Sequence, residues 1–437
     1  MHIGRLLFPA IRWDPRTGFS QQGDAIDAAL ERRVGGFSIF GGEAEAVAEL
    51  TASLRARSSH PLLIASDLER GAGQQFKGTT PLPPLAAIGS LDDIDTTRRA
   101  ASLTAREALA LGVNWIYAPV ADVDLEPRNP IIGSRAFGTN PELVARHVTA
   151  WIRGCHDEGA ICCAKHFPGH GRTVDDSHAT LPCVDVSRDT LDEADLKPFF
   201  AATRAGVDSV MTAHVSFPAL DRTGTAATLS QPIVGTLLRR ELGFSGLVVT
   251  DALIMEGVLE AGAGEAGAAV AAVAAGCDAL LYPRDLEGVA KALEGAIGRT
   301  LSEIRVADAI ERVNAIAART PARRETAYGT EEDREWAVAV GARSIVPVRG
   351  EPQLPKSFDL LTVDDDLGGP FAAPPRDRFV SALGDAGFDV HEVDRVNGRR
   401  GLVVALYCDI RAWKGRPGLS ESARARIEEV VADRPNA

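Results

Sequence analysis

Residues 165–178 read Lys165-His166-Phe167-Pro168-Gly169-His170-Gly171-Arg172-Thr173-Val174-Asp175-Asp176-Ser177-His178. Histidines, a lysine and aspartates crowd into a segment whose proline and glycines forbid a continuous helix. His178 follows Asp176 by two positions, which reads either as a polar turn pair or as a dyad. In the dyad, Asp176 accepts one ring N–H and fixes the tautomer, leaving the other nitrogen to pass protons near neutral pH. Asp251 follows the apolar run Leu247-Val248-Val249-Thr250; it reads either as the N-cap of the next helix or as a carboxylate placed to attack an electrophilic carbon. Lys165, His166 and Arg135 are donors, whereas Asp67 and Glu69 are acceptors, and such an alternation suits the hydroxyls of a polyhydroxylated ligand. His166, His170, His178 and His214 also invite a metal reading. Pro168 and Gly169, however, remove the helical presentation that a zinc-binding histidine pair uses, so neither a metal nor another cofactor is expected.

These groups need a scaffold that brings distant segments to one place. Short apolar, β-branched runs at 6–11, 36–40, 62–66, 113–120, 160–164, 209–213, 247–250 and 279–282 alternate with amphipathic stretches of helical length. Eight strand–helix units in one piece predict an α/β fold of the (β/α)8 TIM-barrel type over 1–321, with a doubly wound open sheet as the alternative. Several runs end in a carboxylate, lysine or histidine: Asp67, Asp122, Lys165 with His166, His214 and Asp251. A barrel converges those ends on one face, whereas an open sheet spreads them along an edge. The basic, proline-containing stretch 319–324 opens what reads as a linker over 322–330, and 331–437 reads as a smaller α/β sandwich domain. The chain stops after a last helix at 421–432, where a further strand is expected, so this second domain reads as truncated.

The remaining features exclude other classes. A net charge of −13 over 437 residues argues against nucleic acid, whose phosphates need clustered Lys and Arg. No apolar run reaches membrane-spanning length and the N-terminus lacks a signal-peptide core, so neither a membrane partner nor export is expected and the reading is cytoplasmic. The six cysteines show no paired C-x-x-C spacing and read mostly as buried free thiols, which fits a reducing compartment.

The motif Lys165-His166-Phe167-Pro168-Gly169-His170-Gly171 followed by Asp176-Ser177-His178 resembles glycoside hydrolase family 3, and within it the β-N-acetylglucosaminidase branch. The resemblance extends through Ala118-Pro119-Val120-Ala121-Asp122, Asn129-Pro130-Ile131-Ile132-Gly133-Ser134-Arg135 and Val210-Met211-Thr212-Ala213-His214 to Asp251. It implies that Asp251 is the nucleophile and that His178, oriented by Asp176, is the general acid/base. It further implies that Asp67, Arg135, Lys165 and His166 hold the sugar in the outermost subsite; Glu69, His214 and Met255 are expected among the substrate contacts as well. The implied partner is a β-linked N-acetylglucosamine oligosaccharide from cell wall or chitin. Phosphate is an alternative acceptor, and a β-glucosidase or β-xylosidase, or an inactive sugar-binding barrel, are the alternative functions. One departure stands out: Gln75 occupies the place of the family's sugar-binding arginine, a charge that Arg70 could replace.

Overall fold

The computed structural model describes residues 2–177, 180–348, 353–366, 376–394, 400–409, 414 and 418–432. The chain divides into two units, Met1–Glu126 with Ile132–Ile345, and Pro127–Ile131 with Val346–Ala437.

In the first unit the strands are β1 (Leu7–Phe8), β2 (Ala10–Arg12), β3 (Gly36–Phe40), β4 (Leu63–Ser66), β5 (Trp115–Ile116), β6 (Ile161–Phe167), β7 (Ser209–Thr212), β8 (Leu247–Ala252) and β9 (Ala279–Leu281). All their pairings are parallel, in the order β1-β9-β8-β7-β6-β5-β4-β3-β2. β1 and β2 are one extended stretch split at Pro9, which has no N–H to give a ladder. The Phe8 carbonyl accepts from Tyr282 N at 3.0 Å on one side and the Pro9 carbonyl from Ser38 N at 3.0 Å on the other. That stretch therefore serves both edges of the sheet and closes it into a (β/α)8 barrel.

Side-chain parity sorts the strand residues into two layers. Ile64, Ile116, Cys162, Ala164, Val210, Val248 and Leu280 face outward into the core shared with the surrounding helices. Leu63, Ala65, Trp115, Tyr117, Ile161, Cys163, Met211, Leu247, Val249, Ala279 and Leu281 fill the interior with Phe8. Trp115 is edge-on to Phe8 and to Tyr117, with ring centroids 5.3 and 5.0 Å apart, and its indole N–H donates to Ser209 Oγ at 2.8 Å. The interior is thus packed and leaves the strand ends as the place for a ligand.

Two boundaries differ from those expected. β6 runs to Phe167, so Lys165 and His166 lie on the strand itself and the loop begins at Pro168. The helix Glu331–Arg343, read as the start of the second domain, packs with the barrel. Its Ala337 and Val340 are buried in the barrel's helical core, Asp333 pairs with Arg106 at 2.6 Å, and Arg99 lies over Trp336.

The second unit holds a parallel sheet in the order β11-β10-β12, with β10 (Ser357–Asp364) between β11 (Asp389–Glu392) and β12 (Gly401–Tyr407). Phe358 and Leu360 pack on one face with Leu383 of the helix Asp377–Asp385; Leu361 and Val363 pack on the other with Ala423 of the helix Glu421–Ala432.

At the amino end of β9 the fully buried Asp278 accepts from Arg305 at 2.6 Å, Arg312 at 3.2 Å and Val248 N at 3.0 Å, and also pairs with Arg239. This carboxylate ties β8 and β9 to two outer helices, and removing it strands several guanidinium groups. Asp278→Ala is expected to lower unfolding free energy by about 3–5 kcal/mol, read from the shift in urea midpoint.

Candidate active site

The inward phase of three strands continues past the apolar layers into charge. After Leu63 and Ala65 comes Asp67, after Ile161 and Cys163 comes Lys165, and after Leu247 and Val249 comes Asp251. Side-chain alternation alone therefore aims these three at the carboxyl end of the barrel.

Lys165 is 2 % exposed, and its ammonium lies 2.6 Å from Asp67 Oδ1 and 2.7 Å from Glu69 Oε1. Arg135 grips Glu69 with both arms of its fork, Nε to Oε2 at 2.9 Å and Nη2 to Oε1 at 2.8 Å. Burial pushes the Glu69 carboxyl upward, but the Arg135 guanidinium and the Lys165 ammonium outweigh it and hold Glu69 well below the carboxylate range. Conversely, burial lowers Lys165 and Arg135, and the facing carboxylates overcome it and raise both. Glu69, Lys165 and Arg135 stay charged because opposite charge meets each of them at hydrogen-bond distance.

His166 joins this cluster through Nε2, 3.5 Å from Arg135 Nη2, and turns Nδ1 to Asp122 Oδ2 at 2.7 Å. Asp122 is fully buried; it also accepts the backbone N–H of His166 at 3.2 Å and that of His170 at 2.6 Å. Burial raises its carboxyl, yet His166 and the His170 contacts bring the net shift below the ordinary value. The sequence marked Asp122 as a strand-end carboxylate without giving it a role; its partners lie more than forty positions on, so only the fold reveals it.

The loop beyond β6 packs on the backbone. A Cβ at Gly171 would meet the Val123 carbonyl oxygen at 1.7 Å, and the Gly171 carbonyl accepts from Glu126 N at 3.1 Å. His170 is buried, with Nδ1 2.8 Å from Thr173 Oγ1 and Nε2 2.9 Å from Ser177 Oγ. Burial, reinforced by nearby His166, pushes its imidazole down to about 4, against the opposing pull of Asp122 and Asp251. Asp176 is half-buried on this loop; His178 lies outside the described residues.

Asp251 sits within β8, half-buried, and its Oδ1 accepts from Ala252 N at 2.7 Å. Next to it the buried His214 ring donates from Nε2 to the Ala252 carbonyl at 3.0 Å, while Nδ1 meets Thr228 Oγ1 at 2.8 Å. His214 thereby links the segment after β7 to the end of β8 beside Asp251. Met255 is buried in the apolar core ahead of the helix Glu256–Ala261 and has no described polar role. Gln75 accepts from Gly41 N at 3.0 Å, bracing the loop after β3. Arg70 is half-buried on the same loop as Asp67, its backbone tied to Gln74 and Leu82. A residue the sequence reading passed over is Tyr282, at the end of β9. Burial first, then Asp67, Tyr117 and Asp251, push its phenol well above the ordinary value, which places this ring within electrostatic reach of carboxylates from opposite staves.

Among the described residues, His156, Cys162 and Asp208 bring metal-ligand atoms within 4.8 Å of one another, at the amino ends of β6 and β7. There Asp208 accepts from His156 at 2.8 Å, Cys162 N at 3.2 Å and Arg319 at 2.8 Å, so its oxygens already serve as an ion-pair knot under the barrel. Four cysteines are buried, while Cys183 and Cys408 are exposed.

The model of the glycosyl hydrolase family 3 N-terminal domain matches residues 14–316. A β-N-acetylglucosaminidase/β-glucosidase of Cellulomonas fimi is 32 % identical over 390 residues, 82 % of this chain and 68 % of that one. A β-hexosaminidase of Idiomarina loihiensis is 36 % identical over 264 residues, 59 % of this chain and 78 % of that one. The solved structure of a family 3 β-N-acetylglucosaminidase from Paenibacillus sp. strain FPU-7 superimposes with a TM-score of 0.83 at 31 % identity, covering 99 % of this chain and 82 % of that one.

The depressed His170 gives a pH signature. Its native value, about 4, lies below the unfolded value of about 6.5, so the unfolded chain binds the extra proton first. The stability it contributes is complete above pH 6.5 and is lost as pH falls towards about 4, by roughly 2–4 kcal/mol. Urea midpoints measured from pH 7 to 4 are expected to fall, and to fall less steeply in His170→Leu; equal slopes would mean that another group titrates.

Proposed function

Because this chain belongs to glycosyl hydrolase family 3, we propose that it is a retaining exo-β-N-acetylglucosaminidase acting on cell-wall-derived or chitin-type oligosaccharides. The observation that carries the reading is Asp251, held in the inward phase of β8 at the end of the barrel where Asp67, Lys165, Glu69 and Arg135 form their buried cluster. The names of the relatives support the acetamido sugar as substrate.

The chemistry follows in two displacements. His178, oriented by Asp176, gives its proton to the glycosidic oxygen while an Asp251 oxygen bonds to the anomeric carbon and the leaving alcohol departs. His178 then takes a proton from water as the water oxygen attacks the same carbon and frees Asp251. Two inversions restore the β configuration. Asp67, with 27 % of its side chain exposed, offers an oxygen to sugar hydroxyls, and Arg135, Lys165 and His166 supply donors around the ring. The His214 ring keeps the backbone beside Asp251 in place. A neutral base repels an anion less than a carboxylate does, so inorganic phosphate in place of water is the variant to measure alongside. A reducing compartment such as the cytoplasm suits the buried free thiols; among the described residues no helix is long and apolar enough to cross a membrane.

Aryl β-N-acetylglucosaminide is expected to be turned over in strong preference to aryl β-glucoside, and Asp251→Ala to reduce that turnover to background. Preference for the glucoside would overturn the acetamido assignment; an active Asp251→Ala would overturn the nucleophile. Running the wild type with and without inorganic phosphate distinguishes hydrolysis, which phosphate leaves unchanged, from phosphorolysis, which it accelerates with release of a sugar 1-phosphate.

A further inference from the structure

We propose that His170 is a positioning residue whose ring latches Ser177, the link between Asp176 and His178, and so seats the acid/base loop. The inference rests on the reading of Asp176 and His178 as the proton-transferring dyad, and goes beyond it by assigning a group that fixes their loop at Ser177.

The geometry is that of a bridge with a fixed polarity. The Thr173 hydroxyl donates to the His170 carbonyl at 3.1 Å, so its oxygen is left to accept Nδ1–H at 2.8 Å. Assigned from this network, Nε2 carries the lone pair and the Ser177 hydroxyl donates to it at 2.9 Å. Ser177 is itself buried, and a buried hydroxyl needs a partner. The ring is 1 % exposed and, being neutral above about pH 4, keeps one donor and one acceptor across the working range. An apolar side chain of similar volume would fill the space but would leave Thr173 and Ser177 without the contacts that the imidazole makes to both. That backbone position is not free either: its N–H is held by Asp122 at 2.6 Å. Through His170, then, the dyad loop is registered to the same carboxylate that orients His166.

If the latch places the acid/base, its loss must show only where a proton has to move. Values of kcat/KM report the first, sugar-transferring step, and a dinitrophenyl leaving group departs without protonation while a methylumbelliferyl or alkyl one does not. General acid catalysis is worth roughly 100- to 10,000-fold, so a displaced dyad is expected to cost about tenfold or more on the poor leaving groups and less than about threefold on dinitrophenyl N-acetylglucosaminide. His170→Leu and Ser177→Ala should share this pattern, and the double variant should fall no further than either single, since both break one contact. His170→Gln, which keeps an amide donor and acceptor, should recover part of the loss. Ser177→Ala carries the test should His170→Leu fail to fold. Equal losses on both leaving groups, no loss, or additive losses would overturn the latch while the wild type remains active. A wild type silent on both substrates would instead overturn the dyad reading on which the latch rests.

Discussion

The constraint from which the rest of the site follows is the burial of the Lys165 ammonium. A cation taken out of water costs several kcal/mol unless opposite charge meets it at hydrogen-bond distance, and here Asp67 and Glu69 do so at 2.6 and 2.7 Å. Two carboxylates around one ammonium overcompensate, and Arg135 restores the balance by chelating Glu69 from the other side. No member can leave without exposing another buried charge. Because Asp67 and Lys165 are 98 positions apart in sequence, this neutrality is satisfied only if β4 and β6 flank β5 in a common curved sheet, with the arm bearing Arg135 folded over them. The closed barrel and the charge cluster therefore depend on each other.

The same cluster separates two carboxylates that look alike in the sequence. Glu69 is 6 % exposed and fully engaged by Arg135 and Lys165; its task is to hold those cations charged and pointed. Among the described residues Asp67 pairs only with Lys165 and keeps about a quarter of its side chain open to solvent, which suits the proposed role of acceptor for a ring hydroxyl. The Lys165 ammonium meets both carboxylates at once, which keeps the cation paired inside the protein. Under the proposed function, a sugar would add hydrogen bonds to a frame whose buried charges are already paired.

Much of this was legible beforehand because it rests on local rules. The alternation of apolar strands and amphipathic helices predicts the barrel, and charged residues at strand ends predict which face is functional. Parity could have gone further: Ala65 to Asp67, Cys163 to Lys165 and Val249 to Asp251 are each one period of a strand, and counting in twos from the apolar layer selects these residues unaided. The boundaries resisted for physical reasons. β6 is longer than its apolar run because Lys165 is polar yet paired within the core, which breaks the hydrophobicity signal that marks a strand. The helix Glu331–Arg343 follows a linker-like composition, but what assigns it to the barrel is an ion pair with Arg106 and an aromatic contact with Arg99, neither of which leaves a trace in local sequence. His214 illustrates a further limit: residue type and strand-end placement do not announce that its ring meets the Ala252 carbonyl on the neighbouring strand.

Asp122 shows why such long-range contacts matter for chemistry. A carboxylate accepts several hydrogen bonds at once, and this one takes two backbone N–H groups and an imidazole from residues 166 and 170. A loop that passes protons must sample few conformations, yet a loop of this length starts with a large conformational entropy to lose. Anchoring its first turn to a buried carboxylate on the segment that follows β5, and excluding any side chain at Gly171 so that it can rest on the Val123 carbonyl, restricts that freedom before a ligand arrives. The anchor also orients His166. A displacement of Asp122 would therefore move a proposed sugar contact and the base of the proposed acid/base loop together, so the geometry of binding and the geometry of proton transfer are set by one group and cannot drift apart independently.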